Sequence, residues 1–288
     1  ATGKKILITG DKGFIASHFK KRLENAGYDV YGFDLADKKD IRNLDEITIA
    51  CCGMDTIWHF AAIADLNYAR KHPNETMQIN LEGTYNVAHA AYLNGARMNY
   101  ISTCCVYGNQ EFHPSDEKQL PNPAELYACT KLAGEYIVQG YNKMYDTEYN
   151  ILRIPTTHGE GMREALAVYK FLDLALHDKL IPIHGDGKQT RTLTHVDDVI
   201  EALYLIEKKN IVNEILNISS DEEISANEMA KLIKNMTGSK STIRHISQRK
   251  GQTLKEVIDT SKLRKLTGWK PKISFEEGVK RVYDWMYG

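Results

Sequence analysis

The sequence predicts an α/β protein: a doubly wound, buried parallel sheet followed by a smaller α/β region. Two patterns carry this. Short apolar runs alternate with amphipathic helical stretches over the first 155 residues, and the turn between the first strand and the first helix is rich in glycine. Size and composition agree. A chain of 288 residues, 42% hydrophobic and 26% charged, can bury one large core or two modest ones and is not a disordered or fibrous protein.

Taken in order, residues 4–9 read as an apolar strand, 14–26 as a helix stopped by Gly27, and 29–34 and 55–61 as further strands. A long helix over 76–94 closes at Gly95, a strand covers 99–103, a helix covers 127–145, and a strand covers 150–154. Strands this uniformly apolar suit a sheet covered on both faces. Pro155, Gly159 and Gly161 mark a change of texture, and helices follow over 163–177, 196–208, 226–237 and 275–286, with short strands such as 214–218 between them. We expect a cofactor-binding domain over 1–155 and a mainly substrate-binding domain over 156–288, the segment near 194–218 being free to return to the first.

Lys plus Arg (37) nearly cancels Asp plus Glu (38), so no global field is available to hold nucleic acid or an anionic membrane. No apolar run approaches the length that spans a bilayer. Five cysteines, Cys51-Cys52, Cys104-Cys105 and Cys129, form an odd set without disulfide or zinc spacing, which reads as a reduced, cytoplasmic compartment.

Gly10-Asp11-Lys12-Gly13-Phe14-Ile15-Ala16 stands where a G-x-x-G-x-x-A loop lets the backbone approach a pyrophosphate and aims helix N-terminal amides at it. The alternative is a tight turn that needs glycine for geometry alone; the strand before and the helix after favour a dinucleotide. Asp34 ends the second strand, where a carboxylate accepts ribose hydroxyls and repels a 2′-phosphate, favouring NAD over NADP, although Lys38 and Lys39 follow closely. Asp40 and Ile41 suit an adenine pocket, a polar edge beside an apolar face.

Tyr127 and Lys131 lie four residues apart on one face of a helix, where an ammonium beside a phenol lowers the phenol pKa and makes a general base for an alcohol. A surface pair would look the same in isolation. Ser102-Thr103 at the end of the fourth strand, together with the upstream glycine loop, favours the catalytic reading.

At this point the chain resembles the extended short-chain dehydrogenase/reductases, specifically their nucleotide-sugar epimerases and dehydratases. The matching pieces run through nearly the whole chain: Thr9 to Ile15, Asp34, His59-Phe60-Ala61-Ala62, Asn80-Leu81-Glu82-Gly83-Thr84, Ser102-Thr103 before Val106-Tyr107-Gly108, Tyr127 with Lys131, Arg191 leading to His195-Val196-Asp197-Asp198, and Gly268-Trp269-Lys270-Pro271. The resemblance implies a Rossmann domain with a small C-terminal domain that clamps a nucleotide diphosphate. It further implies bound NAD that oxidises a sugar hydroxyl, usually at C4, with Tyr127 as base, Thr103 on the same oxygen and Lys131 beside them. Cofactor contacts would come from Gly10, Lys12, Gly13, Phe14, Ile15, Asp34, Asp40, Ile41, Phe60, Ala61, Ala62, Asn80, Tyr127 and Lys131; substrate contacts would come from Thr103, Thr156, Arg191 and Arg249.

Three departures from the family pattern stand out. Ala16 replaces the third glycine, and Thr156 replaces a frequent asparagine after the fifth strand. Cys104-Cys105 occupies the place of the Asp-Glu pair of sugar 4,6-dehydratases, while the family's 3,5-epimerases are similar in carrying a cysteine at the position of Cys105. A thiolate can remove a proton from C5 once C4 is a ketone, and neighbouring cations would favour it; equally, cysteine is a small apolar packing residue. His59 and His195 have no third ligand or nucleophile spaced to make a metal site or a triad, and Asp197-Asp198 read as a helix start capped by Thr194.

The sequence therefore leads us to expect an NAD-dependent epimerase acting through transient C4 oxidation of a nucleoside-diphosphate hexose. The rival readings are a 4,6- or 5,6-dehydratase or a 3,5-epimerase working through Cys105, and a dinucleotide-binding sensor without catalysis. The resemblance also implies a homodimer through the helices over 76–94 and 127–145.

Overall fold

A computed structural model describes residues 3–288. Six strands form one wholly parallel sheet: β1 (Lys5–Thr9), β2 (Asp29–Phe33), β3 (Thr56–His59), β4 (Arg97–Thr103), β5 (Tyr149–Ile154) and the strand Glu214–Asn217. Their spatial order is Glu214–Asn217, β5, β4, β3, β1, β2. The chain reverses direction across the sheet between β1 and β3, so a crevice opens beyond the carboxyl ends of these two strands.

Alternation along each strand feeds two cores. Ile6, Ile8, Trp58, Leu152 and Leu216 face the helices Phe14–Asn25 and Val196–Lys208, burying Phe19, Leu23, Val199 and Leu203. Leu7, Ile57, Met98, Tyr100 and Ile151 face the other way, toward the helices Leu44–Ala50, Gly83–Asn94 and Leu126–Tyr145. Both faces are apolar, which is why the strands read as continuous apolar runs.

Two elements differ from expectation. The helix over 76–94 is instead Pro73–Met77, a π-helical turn Gln78–Glu82, and Gly83–Asn94. At Gly83 a Cβ would collide with the Ile41 side chain, so the glycine admits a close approach. The helix expected from residue 163 begins only at Ala167, after a turn closed by the Leu166 amide on the Arg163 carbonyl. The strand Glu214–Asn217 pairs with β5 and thereby joins the first sheet.

The C-terminal region gathers the helices Ala167–Leu176, Ala226–Thr237 and Phe275–Tyr287 around Leu172, Ile181, Ile233 and Val279. Its strands are short. Thr190–Arg191 lies between Ile224–Ser225 and Lys255–Glu256, and Ile181–His184 pairs with Ile243–Ile246. The cap of the helix Val196–Lys208 is His195, not Thr194: its Nδ1 accepts from the Asp197 amide at 3.1 Å. Asp198 is buried, and its carboxylate accepts from the amides of Lys272 and Ile273, pinning the last segment to that helix.

Candidate active site

Beyond the ends of β1 and β3 the glycine loop is built by backbone. Gly10 has φ +69°, its amide donates to the Phe33 carbonyl at 2.8 Å, and a Cβ there would sit 2.8 Å from the Ala61 backbone. Only glycine meets both demands. The helix Phe14–Asn25 starts at Gly13 with no side chain capping it and no acid in its first turn. Its first amides are therefore aimed into the crevice without a protein acceptor from a side chain, which suits a pyrophosphate.

Asp34 joins this loop to β2. One carboxylate oxygen accepts from the Ala36 amide at 2.8 Å and the other from the Lys12 amide at 3.0 Å. A carboxylate has about four acceptor sites, so two remain for hydroxyls. The Lys12 ammonium turns away to pair with Asp37. Phe60 and Ala61 follow β3 with their amides on the Thr9 carbonyl and hydroxyl at 3.1 and 3.2 Å, which brings Ala61 beside Gly10, with Ala62 next in the chain. These residues fit a bound dinucleotide.

Three expected cofactor residues are engaged within the protein. The Asp40 carboxylate is held by its neighbour Arg42 through both Nε and a terminal nitrogen, at 2.7–3.0 Å. The Ile41 side chain is core, buried beneath Gly83, and offers no apolar face to a ligand. The Asn80 side chain accepts from the Ile63 amide at 2.8 Å and donates to the Ile63 carbonyl and the Thr130 hydroxyl, each at 3.0 Å. Both of its donor hydrogens are used within the protein, so it positions the loop after β3.

At the ends of β4 and β5 the site is built by side chains. The Thr103 hydroxyl accepts from the Cys105 amide at 3.1 Å and also hydrogen-bonds the half-buried Tyr127 phenol. Lys131, one turn along the helix, is 3% exposed, with its ammonium 4.6 Å from the centre of the Tyr100 ring. Burial pulls Lys131 down from 10.5 to about 7, against the opposing pull of Glu135. The expected lowering of the phenol is not seen. Burial and Cys105 hold Tyr127 above its ordinary 10, outweighing Arg163 and the Thr103 hydrogen bond.

Glu135 belongs to a buried network that sequence reasoning missed. Its carboxylate takes the Ser102 hydroxyl at 2.6 Å and Arg153 at 2.9 and 2.7 Å; Arg153 in turn reaches the Tyr107 hydroxyl, which donates to Asn217 at 2.8 Å. A signal was present: Glu135 continues the four-residue spacing from Tyr127 through Lys131 on one helix face, and Arg153 is a charge inside an otherwise apolar strand. Arg163, which acts on Tyr127, was also missed, and nothing in its exposed loop marks it out.

The two cysteines sit differently. Cys104 points into the core with Val106, Tyr107 and Ile258, its thiol 3.3 Å from the Arg153 carbonyl. Cys105 does border Tyr127, but burial and Glu256 push its thiol up to about 12, with Thr103 and Arg191 only partly opposing. A depressed thiolate is not what this setting makes.

Arg191 is half-buried and aimed by the carbonyls of Thr190 and Thr253, at 2.8 Å each. Arg249 lies exposed on a loop whose Gly251 passes the Ala124 carbonyl, just ahead of Tyr127. The Thr156 carbonyl is taken by the Thr194 amide at 3.1 Å, and the Thr156 side chain stays half-buried after β5. His59 is structural, tied to Thr9 at 2.6 Å and Thr84 at 3.0 Å and lowered by burial to about 3.

Comparison with known proteins agrees with this geometry. The model of the NAD dependent epimerase/dehydratase family matches residues 6–219. A Methanocaldococcus jannaschii protein whose name carries UDP-glucose 4-epimerase as a provisional assignment is 33% identical, over 98% of both chains. The dTDP-D-glucose 4,6-dehydratase of Mus musculus is 30% identical over 98% of this chain and 88% of its own. Among solved structures, UDP-glucuronic acid 4-epimerase from Bacillus cereus, in complex with UDP-glucuronic acid and NAD, superposes with a TM-score of 0.92 over 98% of both chains at 29% identity. Glycine loop, ribose acid, tyrosine-lysine pair and relatives converge: this chain belongs to the NAD dependent epimerase/dehydratase family and is an enzyme with NAD as its cofactor.

Proposed function

We propose that the protein epimerises a UDP-hexose at C4 by transient oxidation of that carbon, and the observation that carries this is the Thr103, Tyr127 and Lys131 cluster at the ends of β4 and β5. NAD supplies the acceptor and donor of hydride. Tyr127 takes the proton of the C4 hydroxyl as phenolate and gives it back; Thr103 binds the same oxygen. Lys131, one helical turn away, adds a positive charge when protonated, and the phenolate forms against the burial that holds Tyr127 up. Gly10, Gly13, Phe14 and Ile15 hold the pyrophosphate of NAD, and Asp34 takes an adenosine ribose and disfavours the 2′-phosphate of NADP. Arg191 holds the substrate diphosphate, with Arg249 at the edge of the loop over it.

Chemistry at C5 through Cys105 draws no support from a thiol held at about 12, nor from Cys104 packed in the core. A homodimer draws support from the helices Gly83–Asn94 and Leu126–Tyr145, which expose Tyr85, Tyr92, Leu93, Tyr136, Met144 and Tyr145 on neighbouring surfaces. The five cysteines are free thiols, in keeping with a reduced cytoplasm. The test is incubation with UDP-, GDP-, CDP- and dTDP-sugars in deuterated water, followed by NMR. We expect the C4 epimer of a UDP-sugar with protium kept at C5. Deuterium at C5, or loss of the 6-hydroxyl, would refute it.

A further inference from the structure

Tyr127 and Lys131 stand on the helix Leu126–Tyr145 whereas Thr103 ends β4, so the reaction depends on how firmly one helix face is held against one strand end. A single carboxylate makes that junction. Glu135 lies one turn beyond Lys131 on the same face. Its Oε1 accepts at 2.6 Å from the hydroxyl of Ser102, the residue before Thr103, and at 2.9 Å from Arg153 Nε, while Oε2 accepts from a terminal nitrogen of Arg153 at 2.7 Å. Ser102 and Arg153 are partners in the parallel register of β4 and β5, so the carboxylate spans both strands. Arg153 is braced in turn: its other terminal nitrogen donates to the Tyr107 hydroxyl at 2.9 Å, in the turn that holds Cys105, and Tyr107 donates to Asn217 at 2.8 Å. Ser102, Glu135 and Arg153 are all buried. Charge is sorted as well as position. Two buried cations flank Glu135, and it takes Arg153 in a two-pronged pair, leaving the Lys131 ammonium over the Tyr100 ring. Tyr127 on its own helix, Tyr100 on β4 and His59 on β3 also surround Lys131; burial keeps Tyr100 protonated and His59 neutral, so Glu135 is the anion that acts on it.

We propose that Glu135 is a positioning residue for the reaction: gripping Ser102 and Arg153 together, it holds the helix turn of Lys131 against the strand end of Thr103, and by pairing with Arg153 it leaves the Lys131 ammonium to act on Tyr127. This rests on the proposed C4 oxidation by Thr103, Tyr127 and Lys131. A displacement of about 1 Å among reacting groups can lower a rate by about a hundredfold. A buried ion pair adds little stability over apolar groups of the same volume; this one stands where the geometry around the reacting oxygen is set.

The experiment measures kcat, KM and the pH profile of kcat for C4 epimerisation of UDP-glucose by NAD-loaded enzyme. We expect Glu135→Gln, equal in size and uncharged, to lower kcat by about tenfold or more, and Ser102→Ala by about threefold, each with KM and NAD affinity kept within about twofold. The profile separates positioning from packing. Loss of activity as Lys131 deprotonates, beginning near pH 7 in wild type, should move to lower pH in Glu135→Gln, which removes an anion and leaves Arg153 unpaired. It should move to higher pH in Arg153→Met, which frees Glu135 to pair with Lys131. The double variant, Glu135→Gln with Arg153→Met, strands no charge and so guards against a poorly folded single variant; it should return the limb toward pH 7 with kcat still low. Unchanged kcat, or lowered kcat with the limb fixed in every variant, would make Glu135 a packing residue and overturn the proposal while leaving epimerisation in place. Wild type that epimerises no nucleotide sugar would remove the underlying reading and this inference with it.

Discussion

The two ends of the sheet's carboxyl edge solve different problems with different parts. At β1 and β2 the work is done by backbone: a positive φ at Gly10, an approach to Ala61 that excludes a side chain, and helix amides without a side-chain cap. At β4 and β5 it is done by buried ionisable side chains, Tyr127, Lys131, Glu135 and Arg153, whose charges are shifted or paired by burial. Shape holds a cofactor and tolerates little change of geometry. On the proposed reading charge runs the chemistry, and burying it costs stability.

The comparison is broken most severely at the second end. Tyr127→Phe should lose about two to four orders of magnitude in turnover while still binding the nucleotide sugar, as removal of a general base does; near-normal rates would take the tyrosine out of the reaction. Next comes the first end. Gly10→Ala forces a Cβ against the Ala61 backbone at a left-handed φ, and calorimetry should show NAD binding weakened by roughly tenfold or more, about 1.4 kcal/mol. Asp34→Ala should shrink a preference for NAD over NADP of at least about tenfold, read from the same titrations.

Lys131→Met sharpens the contrast through pH. The folded protein holds this lysine at about 7 instead of 10.5, so between those values the unfolded chain carries the extra proton and stability rises with pH. Below about pH 7 the penalty of a buried ammonium is complete; above about 10.5 it is gone. Lys131→Met should therefore raise the melting temperature at pH 6, with the gain fading by pH 10, even as turnover falls. The smallest effect belongs to Cys105→Ser, which should keep activity within about twofold, because its thiol stands near 12 and takes no proton. Abolished turnover in that variant would restore C5 chemistry.

Legibility followed the same divide. The first five strands and the glycine loop were readable because alternation of apolar runs and punctuation by Gly27 and Gly95 are local properties of the chain. The π-helical turn at Gln78–Glu82 was not, since it depends on Asn80 finding Ile63 and Thr130 from distant segments. Strands of two residues such as Thr190–Arg191 and Lys255–Glu256 carry no periodicity at all. Spacing singles out Tyr127 and Lys131, yet the direction of the phenol's shift differs from expectation, because desolvation is a property of the packed site and not of the pair. Cys104 and Cys105 look alike in sequence, and one step of the backbone sends the first into the core and leaves the second at the site's border.

The first helix, Phe14–Asn25, opens on a glycine where the helices at Leu44, Ala226 and Phe275 open on Asn43, Ser225 and Ser274, each of which caps with its side chain. Such a cap is typically worth about 1 kcal/mol. The helices at Leu126 and Ala167 also open without a side-chain cap, but only the first opens beyond the glycine loop; there thermodynamic linkage makes the cofactor a structural member of the fold, adding about 2.7 kcal/mol to the native state at a free concentration 100 times its dissociation constant. Thermal stability of this protein becomes a gauge of cofactor occupancy, and a cell short of NAD would hold a population that unfolds more readily and falls sooner to proteolysis.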